Sequence, residues 1–214
     1  MWLLRLLITA SVGYLLGAIP TGLLVGRLYR GIDVRDYGSS STGATNVLRT
    51  LGPVASACVA LADFLKGLLA VQLIRQLYPE QRWTHALAAF AAAVGHDWPL
   101  FAGFRGGKGV LTSLGGVMPL HRPTAYAVVG LGVVVLWRTR LASLASLIGT
   151  SVAPVILVTT ALRRNLPAAY AAYGVGGAAL IVLRHRENIA RLLAGTERRL
   201  GEQEASPPSP DVAQ

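Results

Sequence analysis

The sequence predicts an all-α, polytopic integral membrane protein of about seven transmembrane helices, and three observations predict it. Only 14% of the residues are charged, against roughly 25% in an average soluble domain, which is too few to cover a surface of this size. The hydrophobic share is 53% and the mean hydropathy is +0.51, as one bilayer-embedded domain requires. The apolar residues also arrive in runs of helical length separated by short polar stretches, the pattern of a chain that crosses and recrosses a membrane. A net charge of +10 would suit a nucleic-acid binder. In so apolar a chain, however, arginines and lysines mark cytoplasmic loops and contacts to anionic lipid or substrate, and no nucleic-acid partner is expected.

The first span covers residues 3–28. Its apolar run continues past Pro20 without a small-x-small cleavage pattern, so it reads as a retained helix and not as a signal peptide. Gly13, Gly17, Gly22 and Gly26 recur at the four-residue spacing that lets another helix approach closely. Residues 29–50 are polar and carry Arg30, Arg35 and Arg49, so they form a loop outside the lipid. A second span, 52–77, contains Asp63 and Lys66 one turn apart. Charge at that depth is costly, so either the two pair or Lys66 lines a polar site. Cys58 in the same run has no partner for an internal disulfide and reads as an inert packing residue.

A third span, 84–104, is broken near Gly95–Pro99. Residues 109–119 are apolar but only about 16 Å long as helix, short of the ~30 Å hydrocarbon core, so they predict a short or tilted helix. Spans at 123–138, 143–162 (with Pro154 inside) and 168–184 complete the seven. Beyond them, Ile189, Leu192, Leu193 and Leu200 among basic residues suit a helix lying on the membrane surface. From Glu202 the tail has no apolar periodicity and is expected to be disordered. Residues 1–201 thus form one membrane domain, and 202–214 a cytoplasmic tail.

Alternating the connecting segments across the bilayer puts thirteen basic residues on one side and six on the other, with Lys66 inside a span. The positive-inside bias then places the N-terminus outside. It places residues 29–50, the loop after the third span and the C-terminal segment together in the cytoplasm.

Those three stretches carry the chemistry. GHDWPLFAGFRGGKGVLTSLG (95–115) sets Gly106, Gly107, Lys108 and Gly109 between apolar segments. Glycines without Cβ let backbone N–H groups converge on an anion, and a following helix start adds its positive end. This is not the nucleotide loop GxxxxGK[ST], because Ala102 and Gly109 stand where glycine and a hydroxyl residue are required. The first loop offers Ser39, Thr45, Asn46 and Arg49, and the last segment offers His185 with Asn188. Arginine and lysine with convergent donors make a site for one or more phosphates. No GxSxG elbow and no HExxH spacing occurs, and there is one cysteine, so neither a hydrolase triad nor a metal site is expected. No cofactor is implied.

Read together, GSSSTGATNVLRTLG (38–52), DFLKG (63–67), GHDWPLFAGFRGGKGV (95–110) and RHRENIARLLAGTE (184–197) resemble the signature blocks of the bacterial acyl-phosphate:glycerol-3-phosphate acyltransferases, the membrane family called PlsY. The resemblance runs to Gly201 in the family's order and spacing. It implies seven helices, an N-terminus outside, and an active site at the cytoplasmic face of the bacterial inner or plasma membrane. The implied reaction is the first acylation of phospholipid biosynthesis, moving a fatty acyl group from acyl phosphate to the 1-hydroxyl of sn-glycerol 3-phosphate. Its products are lysophosphatidic acid and phosphate.

By matching positions, Ser39, Thr45, Asn46, Gly106, Gly107, Lys108 and Gly109 would hold the acyl-phosphate headgroup. Arg49, Lys108, His185 and Asn188 would hold glycerol 3-phosphate, and Ser39, Arg49, Lys108, His185 and Asn188 together would form the catalytic set. Glu197 resembles the family's closing glutamate, structural more than chemical, and Lys66 stays a candidate. One departure stands out: after Gly38 and Ser39 the family pattern has glycine and then asparagine, where this chain has Ser40 and Ser41. A rival reading from another class is a membrane transporter of a phosphorylated metabolite, which also uses broken helices and basic residues.

Overall fold

The computed structural model describes residues 1–201, which are all-helical with no strand; the tail expected to be disordered lies outside the described residues. The helices are α1 (Trp2–Gly17), α2 (Thr21–Arg30), α3 (Ala44–Leu51), α4 (Pro53–Leu77), α5 (Arg82–Asp97), α6 (Val110–Leu120), α7 (Arg122–Thr139), α8 (Ala142–Leu162), α9 (Ala168–Arg184) and α10 (Arg186–Leu193). Trp2–Arg30, Pro53–Leu77 and Ala142–Leu162 are long and apolar enough to cross a membrane. On α4, Leu61, Leu65, Leu69 and Leu73 are exposed at four-residue intervals, an outward apolar stripe that suits lipid and not water.

The predicted first span is two helices, because Pro20 has no N–H and cannot continue α1. At the break the Ile19 carbonyl accepts from the Thr21 N–H at 3.0 Å, and Lys66 Nζ adds a second donor at 3.2 Å. Thr21 Oγ1 donates to Asp63 Oδ1 at 2.5 Å, and Lys66 Nζ stands 2.9 Å from the same oxygen. Asp63 and Lys66 therefore pair, at the joint between α1 and α2.

Gly13 and Gly17 bring α1 against α5, where a methyl group would collide with the Ala88 and Ala92 carbonyls. Gly22 and Gly26 do otherwise than their spacing suggests: they face Thr42 and Val34 of the following segment instead of another helix. That segment is not a plain loop. It contains a 3₁₀ turn, Val34–Asp36, and all of α3, and Val34, Val47, Leu51, Ala55 and Val59 form a small core of their own. Gly52, at φ 89°, ψ −177°, takes a conformation that side chains disfavour, and Pro53 restarts the chain as α4 in the position where proline is tolerated.

The expected third span stops at Asp97, and a 3₁₀ turn, Leu100–Ala102, replaces its far end. The remaining helices fall where the apolar runs place them, α6 being the short one. Val71, Ala89, Val117, Ala125, Tyr170 and Tyr173 form the main core where α4, α5, α6, α7 and α9 meet. Cys58 is exposed on α4, so it does not pack the interior.

Candidate active site

At one end of the bundle, a cavity of about 390 Å³ opens between the segment around α3, the loop before α6, and the α9–α10 junction. Ser39, Thr45, Asn46, Arg49, Lys108, Gly109, His185, Asn188 and Glu197 all line it, although they are scattered over 159 positions. Gly106, Gly107 and Lys66 do not. Asp63 and His96 do, and the sequence did not single them out for this role.

The first segment is organised by Asn46, which is 1% exposed. Its Oδ1 accepts from Ser39 N at 2.7 Å and Ser39 Oγ at 3.2 Å. Its Nδ2 donates to the Val34 carbonyl at 2.7 Å and the Ser41 carbonyl at 2.8 Å. Both amide hydrogens and both oxygen lone pairs are thereby used, so Asn46 shapes the loop with the polar atoms that the sequence suggested for a ligand. Ser40 sits at φ 51°. The residue that departs from the resembled pattern thus occupies a left-handed position, where glycine carries no steric cost.

The second loop is shaped by close approach. The Gly107 N–H donates to the His96 carbonyl at 3.1 Å, and a side chain at Gly106 or Gly107 would overlap His96. His96 Nδ1 in turn lies 3.4 Å from Asp63 Oδ1. From α9, Arg184 Nη2 donates to the Gly107 carbonyl at 2.8 Å, and its guanidinium stands 5.0 Å over the Trp98 ring. Gly109, at φ 68°, turns the chain over the buried Asp97 and caps α6. The converging amides expected of the glycine run are therefore reduced: Gly107 is committed inward, and Lys108 and Gly109 reach the cavity.

Lys108 Nζ donates to Asn188 Oδ1. Asn188 Nδ2 donates to Glu197 Oε1 at 2.7 Å, and Arg191 Nε donates to Glu197 Oε2 at 2.8 Å. Burial, with Arg191 adding to it, holds the Lys108 ammonium down to about 8. Burial works against the Glu197 carboxylate, but the hydrogen bonds from Asn188 and Arg191 outweigh it and keep its pKa below the ordinary value. Arg49 Nη2 donates to the Arg198 carbonyl at 3.3 Å. His185 is pushed down to about 4, chiefly by burial. Its Nδ1 lies 2.8 Å from the Ile181 carbonyl, which fixes the proton there in the neutral ring and leaves Nε2 as an acceptor.

Three helices begin at this cavity: α3 through Gly43–Thr45, α6 through Gly109–Leu111, and α10 through His185 and Asn188. Neither α3 nor α6 has an acidic residue in its first turn. Helix starts present unpaired N–H groups and positive partial charge. Other parts of the lining are apolar: Leu114 of α6, Val129 and Val133 of α7, and Ala145 and Gly149 of α8. The first set suits anions and the second a hydrocarbon chain.

The family model described as Glycerol-3-phosphate acyltransferase matches residues 7–195. A glycerol-3-phosphate acyltransferase of Synechococcus sp. (strain CC9902) is 44% identical over 200 residues, covering 94% of this chain and 98% of its own. One from Symbiobacterium thermophilum is 46% identical over 198 residues, covering 92% and 96%. The crystal structure of PlsY, an integral membrane glycerol 3-phosphate acyltransferase, in its glycerol 3-phosphate form superposes with a TM-score of 0.85 at 36% identity, covering 92% of this chain and 96% of that one. Its lysophosphatidic acid form gives 0.83 at 35%.

Proposed function

The chain belongs to the glycerol-3-phosphate acyltransferase family, and from that membership we propose that it is an integral membrane enzyme using acyl phosphate as donor. It moves the fatty acyl group to the 1-hydroxyl of sn-glycerol 3-phosphate, with 1-acyl-sn-glycerol 3-phosphate and phosphate as products. The observation that carries this reading is the convergence of Arg49, Lys108 and three helix starts on one cavity whose lining is elsewhere apolar. Two phosphorylated substrates need positive charge at two places, and the fatty chain needs a trough beside them.

Ser39, Thr45 and the α3 start, with Gly109 and the α6 start, hold the donor headgroup. Arg49, Lys108 and Asn188 hold glycerol 3-phosphate, while Gly106, Gly107 and Asn46 keep the two loops in shape. Acyl phosphate is a mixed anhydride with a good leaving group, so the enzyme need only neutralise charge and align the hydroxyl with the carbonyl. The hydroxyl oxygen bonds to the carbonyl carbon, the bond from that carbon to the phosphate oxygen breaks, and the hydroxyl proton ends on the departing phosphate. His185, with a pKa near 4, is a poor base. Its free Nε2 orients the acceptor by taking a hydrogen bond from a glycerol hydroxyl. Glu197 fixes Asn188, and Lys66, paired with Asp63, belongs to the fold.

The thirteen-to-six bias in basic residues supports a cytoplasmic face for this cavity, with the N-terminus outside. The seven spans are α1 with α2, then α4, α5, α6, α7, α8 and α9, forming one domain over residues 1–201 in the bacterial inner or plasma membrane, surrounded by membrane lipid. The test is to supply the purified protein, in lipid, with acyl phosphate and glycerol 3-phosphate and to look for lysophosphatidic acid. Product from acyl-CoA alone would reassign the donor. Uptake of labelled glycerol 3-phosphate into vesicles without acylation would mark a transporter instead.

A further inference from the structure

A second cavity, of about 40 Å³, adjoins the first, and Val110, Leu114 and Val128 wall both. Along α8 the larger cavity is bounded by residues from Ala142 to Gly149, and the smaller one by Thr150 and Ala153, the next positions inward. Along α6 the wall likewise advances from Leu111 to Val117. From Ala142 to Ala153 is about 16 Å of helix, all of it leading away from the end that carries Lys108 and Asn188. The smaller cavity therefore extends the apolar trough.

Its lining is mainly apolar, with Ser113, Thr150 and Tyr173 the polar residues. The Tyr173 hydroxyl is turned to the Ser113 carbonyl, to which it donates at 2.9 Å. The α9 side is formed by Gly174 and Gly177, and the two differ. A methyl group at Gly174 would stand 2.8 Å from Leu157 Cδ1, so helix packing requires that glycine. A methyl group at Gly177 would meet only Tyr173 ring carbons at 3.7 and 3.9 Å, an ordinary contact. The backbone has room for a side chain at 177, and glycine weakens a helix. An unfilled apolar space also forfeits contacts. Packing does not account for the vacancy.

We infer that this cavity receives the end of the donor's acyl chain, and that Gly177 and Ala153 set how long that chain can be; the inference rests on the function proposed above. The test measures turnover of saturated acyl phosphates of increasing length, in lipid, by the wild type, Gly177→Leu and Ala153→Leu. Each variant should keep its short-chain rate and lose at least about tenfold on the longest chains, the worth of roughly two methylenes denied burial. The short-chain rate reports that the variant is folded, and the two sites lie on different helices, so failure of one leaves the other to read the ratio.

An active wild type with the long-to-short ratio unchanged in both variants overturns the chain-length assignment alone. Uniform loss at every length in both does the same, because it would make the cavity a matter of packing. No product from wild type with any acyl phosphate overturns the functional reading, and this one with it.

Discussion

Two loops supply the charged half of the cavity, and they are built on opposite principles. Residues 38–46 are held from within by one polar side chain, Asn46, whose amide makes four hydrogen bonds. Residues 103–109 have no such organiser. They are held by what is missing, since Gly106 and Gly107 let the backbone lie on His96 while Arg184 grips the Gly107 carbonyl from α9. An amide among hydroxyl residues and a glycine run both resemble ligand contacts in a sequence. Here each mainly builds its own loop, and the groups delivered to the cavity are Arg49 and Lys108.

The largest test of that contrast is Asn46→Ala. At roughly 1 kcal/mol for each of the four hydrogen bonds, about 3–4 kcal/mol should be lost, read as a lower thermal midpoint together with lost turnover. A variant that melts like wild type would show that the first loop holds itself by other means. Next in size, Arg49→Ala and Lys108→Ala should each lower kcat/KM at least about tenfold, ~1.4 kcal/mol, with little change in melting. Unchanged kinetics would remove that residue from the substrate contacts.

The two cations should then separate by pH. Lys108 is charged below about 8, so as pH rises through that value it loses its proton and its hold on phosphate. The profile of kcat/KM, which reports the free enzyme, should fall there. Lys108→Arg keeps its charge at every accessible pH and should move the decline upward; a decline that stays in place would assign it to another group. The smallest effect belongs to Ser40→Gly. Relieving its left-handed backbone should raise stability by about 1 kcal/mol with activity unchanged, and a destabilised variant would show that the serine side chain supports the loop.

The spans and signature blocks were legible because apolar run length and basic bias survive without any knowledge of contacts. The joint at Pro20 was harder, since the charged pair that clasps it lies far downstream, with Asp63 taking the Thr21 hydroxyl across 42 positions. Helix α3 hides in a stretch that reads as polar, because eight residues are too few to establish a period. Glycine in a sequence announces an absent side chain without saying what fills the space. At Gly17 it is a helix, at Gly107 a histidine, and at Gly109 a turn over Asp97. The meeting of His96 with Asp63 at the cavity was hidden for a related reason. They are far apart in sequence, and the signal available was a histidine inside the block that ends in the glycine-lysine loop.

The joint at Pro20 also bears on how the protein is made. Its clasp lies far downstream: Asp63 accepts from Thr21 across 42 positions, and Lys66 stands 2.9 Å from the same carboxylate oxygen. An ion entering hydrocarbon alone is costly. The second span therefore carries these two opposite charges one turn apart, so that they neutralise each other as that helix enters the bilayer, and the bend between α1 and α2 is fixed when they meet Thr21.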